Sequence, residues 1–433
     1  MPSTPVRGLV LTGGGARAAY QVGVLKALRH LRREAGLAGG NPFPVITGTS
    51  AGGINAAALA CQADDFDGGV DALVDVWSHF HADQVYRADA LGIIRTGARW
   101  LTLMSLGWVI ARWVRQRPRS LLDNAPLGEL LQRMVPLERL PALLAQGHLQ
   151  ALAVTASSYS SGLHVTFYQV APDDPRQPWT RSQRLALPCQ LTRDHLLASS
   201  AIPFVFPAQT LPLGERVEWF GDGSMRQTAP VSPAVHLGAD RVLVIGAGRM
   251  HEPPAQQRPV SEDYPSVAQI GGHALSSIFL DALAVDIERM QRVNSTLKLL
   301  TPEQREQTQL RPVDILVIAP SQRIDDIAAR HLWALPPAVR AMLRAVGVYG
   351  TGRSARGTAL ASYLLFESSF TRELIHLGFT DALAKRDEVV SFFGWGQGAD
   401  ASEGGEGSPS AWGDLDPPGL TPAASQAKVA SFA

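Results

Sequence analysis

The sequence predicts an α/β fold built on a mostly parallel sheet with a helical insertion. Two strand–turn–helix units occupy the first 65 residues, and helical patterning fills residues 66–145. Apolar, strand-like runs return at 240–248 and 313–320. Short buried strands alternating with helices point to a parallel layer, because parallel neighbours need a crossover between them.

Each element has its own signal. "RGLVLTGGG" reads as a buried strand ending in a glycine turn. From Ala18 the positions Tyr20, Val24, Leu28 and Leu31 have helical spacing, and "GLAGGNPFP" stops that helix. "PVITG" is a second buried strand and "AGGINAAALACQA" a second helix. Within the insertion, "WLTLMSLGWVIARWV" (100–114) is apolar and Trp-rich, with Arg95, Arg99, Arg112, Arg115, Arg117 and Arg119 in and around it. A buried helix fits this stretch, and so does a lid or a peripheral membrane contact over 100–119, with Trp at headgroup depth. "LQALAVTAS" and "GLHVTFYQV" form a hairpin across "SYSS". "TRDHLLASSA" is a short helix capped by Thr192 and ended by Pro203. "VEWFGDG" and "DRVLVIGAG" follow, then a Pro/Gln-rich loop (249–263), a long helix over 271–294 and a final core strand, "VDILVIAP". Beyond residue 395 the chain turns to Gly, Ser, Pro, Asp and Ala, and a disordered tail is expected.

Composition narrows the function. The 433 residues carry 39 basic and 39 acidic side chains, which argues against a nucleic-acid binder with a broad basic face. Cys61 and Cys189 form no disulfide framework and have no metal-ligand spacing. The N-terminal apolar run is too short for a signal peptide, so a cytoplasmic start is expected. No uninterrupted apolar stretch approaches the roughly 20 residues of a spanning helix, so none is expected.

Three motifs carry chemistry. In "TGGGARAAY", Gly13, Gly15 and Ala18 fit the dinucleotide fingerprint, but the second strand ends in "TGTSAGG", without the acid that would hold a ribose. Physically, glycines let backbone N–H groups converge at a helix N-terminus, where they suit a phosphate and an oxyanion equally. Gly48-Thr49-Ser50-Ala51-Gly52 matches the nucleophile elbow G-x-S-x-G, with Gly48 and Gly52 relieving crowding around the serine. Neighbouring strand ends share one rim, so both loops can face one pocket. A nucleophile also needs a base. His236, His251, His273, His331 and His376 lie downstream without a distinguishing context, while Asp222 stands in "WFGDGS" at a strand end, where Asp-Gly also reads as a plain turn.

Taken together, "GGGARAAYQVGVL", "GTSAGG", "ASSAIPFVFPA" and "DG", in this order, resemble the patatin-like phospholipases. The resemblance covers roughly 5–320, and "SIFLDALAVDIERMQRVN" (277–294) is similar to bacterial members. It implies a three-layer α/β/α patatin-like fold: an acyl hydrolase domain over 5–320 with its insertion at 66–145, a helical extension over 321–394, and the 395–433 tail. It implies a Ser–Asp dyad that cleaves acyl esters of phospholipids and related lipids through an acyl-serine, as phospholipase A, lysophospholipase or esterase, without metal or organic cofactor. By position Ser50 corresponds to the nucleophile, Asp222 to its partner, and Gly13, Gly14 and Gly15 with Arg17 to the oxyanion segment. Two departures stand out: Ala18 replaces the last glycine of G-G-G-x-R-G, and Asp222-Gly223-Ser224 replaces D-G-G/A. Arg17 reads equally as a partner for a nearby acid, and Asp281 and Asp286 read as ion-pairing residues. The alternatives are a histidine-dependent α/β-hydrolase and a non-catalytic nucleotide- or lipid-binding regulator using the glycine turn.

Overall fold

A ten-stranded mixed sheet organises the computed structural model, which describes residues 5–87, 120–250, 264–350 and 355–396. At its centre β1 (Arg7–Leu11) pairs in parallel with β2 (Val45–Thr49) and with β9 (Arg241–Ile245). Parallel pairing continues to β3 (Ala151–Ser158) beyond β2 and to β10 (Asp314–Ile318) beyond β9. The other half is mixed. β4 (His164–Gln169) returns antiparallel to β3 as the expected hairpin, followed by β6 (Arg184–Pro188) and the short β5 (Trp179–Arg181). β8 (Arg216–Asp222) pairs antiparallel with the end of β3, and β7 (Gln209–Leu213) with β8.

The pleat explains why the strands read as continuous apolar runs. Successive residues face opposite sides, and both sides are covered. Leu9, Leu11, Ile46 and Val154 enter one apolar cluster, while Val10, Val45, Ala153 and Val244 enter the other. On the first side lie α1 (Ala19–Glu34), α2 (Ala51–Ala60) and α3 (Phe66–Ser78). They are joined there by α4 (Ala125–Met134) and α5 (Leu140–Ala145), so 66–87 and 120–145 are largely helical. The Trp-rich 100–114 stretch and its arginines lie outside the described residues, as does the chain beyond Gly396. The short α6 (Arg193–Ser199) follows its expected cap, Thr192, whose hydroxyl bonds His195 Nδ1 at 2.9 Å.

The opposite side carries α7 (Ser232–His236) and the second half of α8 (Val267–Lys298), whose Leu283 and Ile287 pack on the sheet while its Ala268 and Phe279 join the first cluster. α8 is longer than the 271–294 expected, because Ser266 and Gln269 close a capping box further upstream. It is interrupted by a π-helical turn over Ser277–Asp281. Its 32 residues are long and apolar enough to cross a membrane, which corrects the expectation that no such helix exists. The expectation counted uninterrupted apolar residues, whereas α8 is apolar on average and includes Asp286, which is buried and accepts the Val231 N–H at 3.0 Å. "VDILVIAP" likewise forms a strand, but at the sheet's edge.

The short α9 (Pro302–Glu306) leads into β10, after which the chain returns to the first side. α10 (Ile324–His331), α11 (Pro337–Ala345) and α12 (Thr358–Ser362) lead into α13 (Ser368–Ala384) and α14 (Arg386–Phe393). α13 packs along α1, where Tyr20 donates to Asp381 at 3.0 Å.

Candidate active site

Ser50 sits at the corner where β2 becomes α2, with φ 55° and ψ −132°. A serine rarely adopts this conformation, and the surroundings impose it. A Cβ on Gly48 would come within 2.4 Å of the Gly52 carbonyl, and one on Gly52 within 2.4 Å of the Leu11 and Thr12 carbonyls. The corner is therefore pressed against the end of β1, where the glycine turn begins. The Ser50 N–H donates to Ser199 Oγ at 2.8 Å. Behind it, Thr49 bonds both Thr155 and Gln227 at 2.8 Å, tying β2 to β3 and to the turn after β8.

The glycine turn leans on the C-terminal helices. Gly15 has φ 54°, and a Cβ there would lie 2.4 Å from the Tyr363 carbonyl, which accepts the Ala16 N–H at 3.1 Å. The N–H groups of Gly13, Gly14 and Gly15 donate to no acceptor among the described residues. Arg17 is buried against the C-terminal helices. Its Nε donates to Ser362 Oγ at 2.8 Å, its Nη2 to Asp325 Oδ1 at 2.6 Å, and its guanidinium lies 4.0 Å above the Tyr363 ring. Of its two readings, pairing with an acid is the one visible in the geometry.

Asp222 ends β8, fully buried, opposite Ala156 of β3. Its N–H donates to the Ala201 carbonyl at 3.0 Å, and its Oδ1 accepts the Ser224 N–H at 2.9 Å. Oδ2 has no fully formed hydrogen bond. Burial pushes the carboxyl up to about 6, against the opposing pull of the Ser50 hydroxyl and of Ser224. The Ser50 hydroxyl therefore lies near enough to pull the carboxyl's pKa down without a formed hydrogen bond. The buried His164 ring is held neutral, its pKa lowered to about 4 by burial first and then by Arg184, against the opposing pull of the Gly223 carbonyl.

From Ser50 and Gly15 an apolar cavity extends along α2. Ser50, Ile54, Ala58 and Gln62 recur every four residues as one wall, facing Leu73, Trp77, Leu131 and Phe206. That periodicity is legible in the sequence, although the motifs drew attention to Ser50 alone. Thr155, Gln227 and His164 also escaped the sequence reading, and nothing local marks them; Ser199 lies in the "ASSAIPFVFPA" motif but was not singled out there. The downstream histidines sit elsewhere. His236 stacks on Trp179, His331 bonds Glu373 at 2.6 Å, and His273 and His376 are exposed; His251 lies outside the described residues. Asp286 lies 3.9 Å from Arg289, Asp281 is exposed, and Cys61 and the half-buried Cys189 are both pushed up to about 12 by burial.

The family model for patatin-like phospholipases matches residues 9–235, more than half of the chain and a span that holds the glycine turn, Ser50 and Asp222. The chain belongs to that family. The mixed α/β sheet between helices is the family's fold. No curated protein matches the sequence. Among solved structures, this patatin-like chain is similar to human GIVD cytosolic phospholipase A2, with 12% identity, TM-score 0.43, and coverage of 90% of this chain and 60% of that one. VipD from Legionella pneumophila has 12% identity and TM-score 0.34, covering 89% and 67%. The type III effector protein ExoU has 14% identity and TM-score 0.25, covering 83% and 77%. The chain thus spans 60% of the human protein's length.

Proposed function

We propose that this patatin-like protein is a lipid acyl hydrolase of phospholipase A, lysophospholipase or esterase type, working through a Ser50–Asp222 dyad. We read 5–320 as the hydrolase domain with its 66–145 insertion, and 321–394 as a helical extension. One observation carries the reading: a buried carboxyl near pKa 6, short of one partner, faces a serine held at a strained corner over an apolar cavity. A carboxylate poised near neutrality suits a general base, and a cavity lined by aliphatic and aromatic side chains suits an acyl chain.

The reaction runs in two acyl transfers. Ser50 Oγ attacks the ester carbonyl while its proton passes to Asp222. The carbonyl electrons move onto oxygen, held by the N–H groups of Gly13, Gly14 and Gly15. Losing one such donor typically costs about 10²–10³ in kcat. Collapse of the intermediate expels the alcohol or lysophospholipid, which takes the proton from Asp222 and leaves an acyl-serine. Water then attacks with Asp222 again as base; the fatty acid departs and Ser50 regains its proton. Arg17, bound to Asp325 and Ser362, supports the shape of the turn.

A fluorophosphonate probe followed by p-nitrophenyl ester and phospholipid hydrolysis tests the proposal. Wild type is labelled and active, and folded Ser50→Ala is neither. Hydrolysis near the wild-type rate in folded Ser50→Ala or Asp222→Asn refutes the dyad.

A further inference from the structure

One face of the C-terminal helices is unused by this chemistry. From Ile327 to Phe366 the chain contains no aspartate or glutamate, yet it carries Arg330, Arg340, Arg344, Arg353 and Arg356. Within that stretch α11 turns Val339 and Leu343 inward and leaves Arg344 exposed. Arg340 Nη1 donates to the Trp333 carbonyl at 2.8 Å, so an arginine and a tryptophan that is 68% exposed stand together. Trp333, Arg340, Arg344 and Tyr349 line one groove, and Tyr349 is 48% exposed.

The apolar surface continues onto the start of α8. The Ala268 N–H donates to the Val346 carbonyl at 2.8 Å, which seats the α8 N-terminus beside the end of α11. There Tyr264 and Val267 are 90% and 70% exposed. Exposed aromatic and aliphatic side chains in one patch mark an interaction surface rather than scattered apolar exposure. Beside them, Arg340 and Arg344, in a stretch from Ile327 to Phe366 that has no acid of its own, are complementary to anionic headgroups above an apolar layer.

We propose that this face, built from Trp333, Tyr349, Arg340, Arg344, Tyr264 and Val267, docks the protein on a bilayer containing anionic phospholipid. Tryptophan and tyrosine sit at headgroup depth, and the arginines meet lipid phosphates. The same segment reaches the catalytic cavity, because Phe366 lines it and Tyr363 grips the glycine turn. The face is distinct from the 100–119 stretch, and it binds lipid whether or not Ser50 is the nucleophile.

Vesicle flotation tests it, comparing phosphatidylcholine alone with phosphatidylcholine mixed with phosphatidylglycerol. Wild type floats with the mixed vesicles, and added salt releases it. Arg340→Gln/Arg344→Gln weakens binding about 30-fold, from about 1 kcal/mol per arginine and tenfold per 1.4 kcal/mol. Trp333→Ser weakens it as well, while both variants keep the wild-type melting temperature and activity on a soluble ester. Unchanged binding in the folded arginine variant overturns the proposal, as does equal, salt-insensitive binding to phosphatidylcholine alone. A dimer in solution that either variant dissolves also overturns it, by assigning the face to a second copy of the chain.

Discussion

Replacing Asp222 by asparagine is expected to stabilise the protein while abolishing its activity. The carboxyl's ordinary pKa of 3.8 rises to about 6 in the folded state, with burial as the dominant cause. Between those values the folded protein binds more protons than the unfolded one, so stability falls as pH rises. Above about pH 6 the full penalty is in place: about 3 kcal/mol at 1.36 kcal/mol per pH unit. Asparagine keeps the acceptor for the Ser224 N–H, and the help that bond gives the charged form is already contained in the value of about 6. The gain at pH 8 is therefore about 3 kcal/mol, or about 3 °C in melting temperature for a chain of this size. Thermal melts of both proteins between pH 8 and pH 4 measure it, and the gain should shrink as pH falls toward 4. An asparagine variant that melts below wild type at pH 8, or a difference independent of pH, refutes the reasoning. It would mean that the charged carboxylate is well solvated or fully paired in the folded state.

Three other outcomes follow from the same geometry. If Asp222 is the base, kcat/KM on a soluble ester rises tenfold per pH unit below about pH 6 and levels off above it; a profile flat from pH 5 to 7 contradicts that role. Ala58→Phe fills the cavity two helical turns from Ser50, about 12 Å along α2. Displacing three methylenes at about 0.8 kcal/mol each should cost long-chain esters about 50-fold while butyrate esters are spared, and equal losses on both would place the chain elsewhere. Phe204→Gly should raise the melting temperature, because Phe204 holds φ 65° while 73% exposed and so gives up little burial when removed. Relief of an aromatic residue in the left-handed region is worth about 1 kcal/mol, and a lower melting point would show that its ring contacts matter more.

The sequence by itself determined the order of strands, turns and helices in the first 65 residues, the hairpin after residue 150 and the Thr192 cap. It also brought out Gly13–Gly15, Ser50 and Asp222 as candidates. These are local properties, set by apolar runs, glycine at crowded corners and capping chemistry within a few residues. Only the tertiary structure decided what surrounds them. Arg17 meets an acid 308 residues away, and Thr49 a glutamine 178 residues away. The cavity needs α2, α3, α4 and the Phe366 segment at once. The raised pKa of Asp222 depends on its burial where β8 meets β3 and the segment after α6. Desolvation and long-range pairing are sums over neighbours that the fold brings together, and adjacency in the chain carries no record of them.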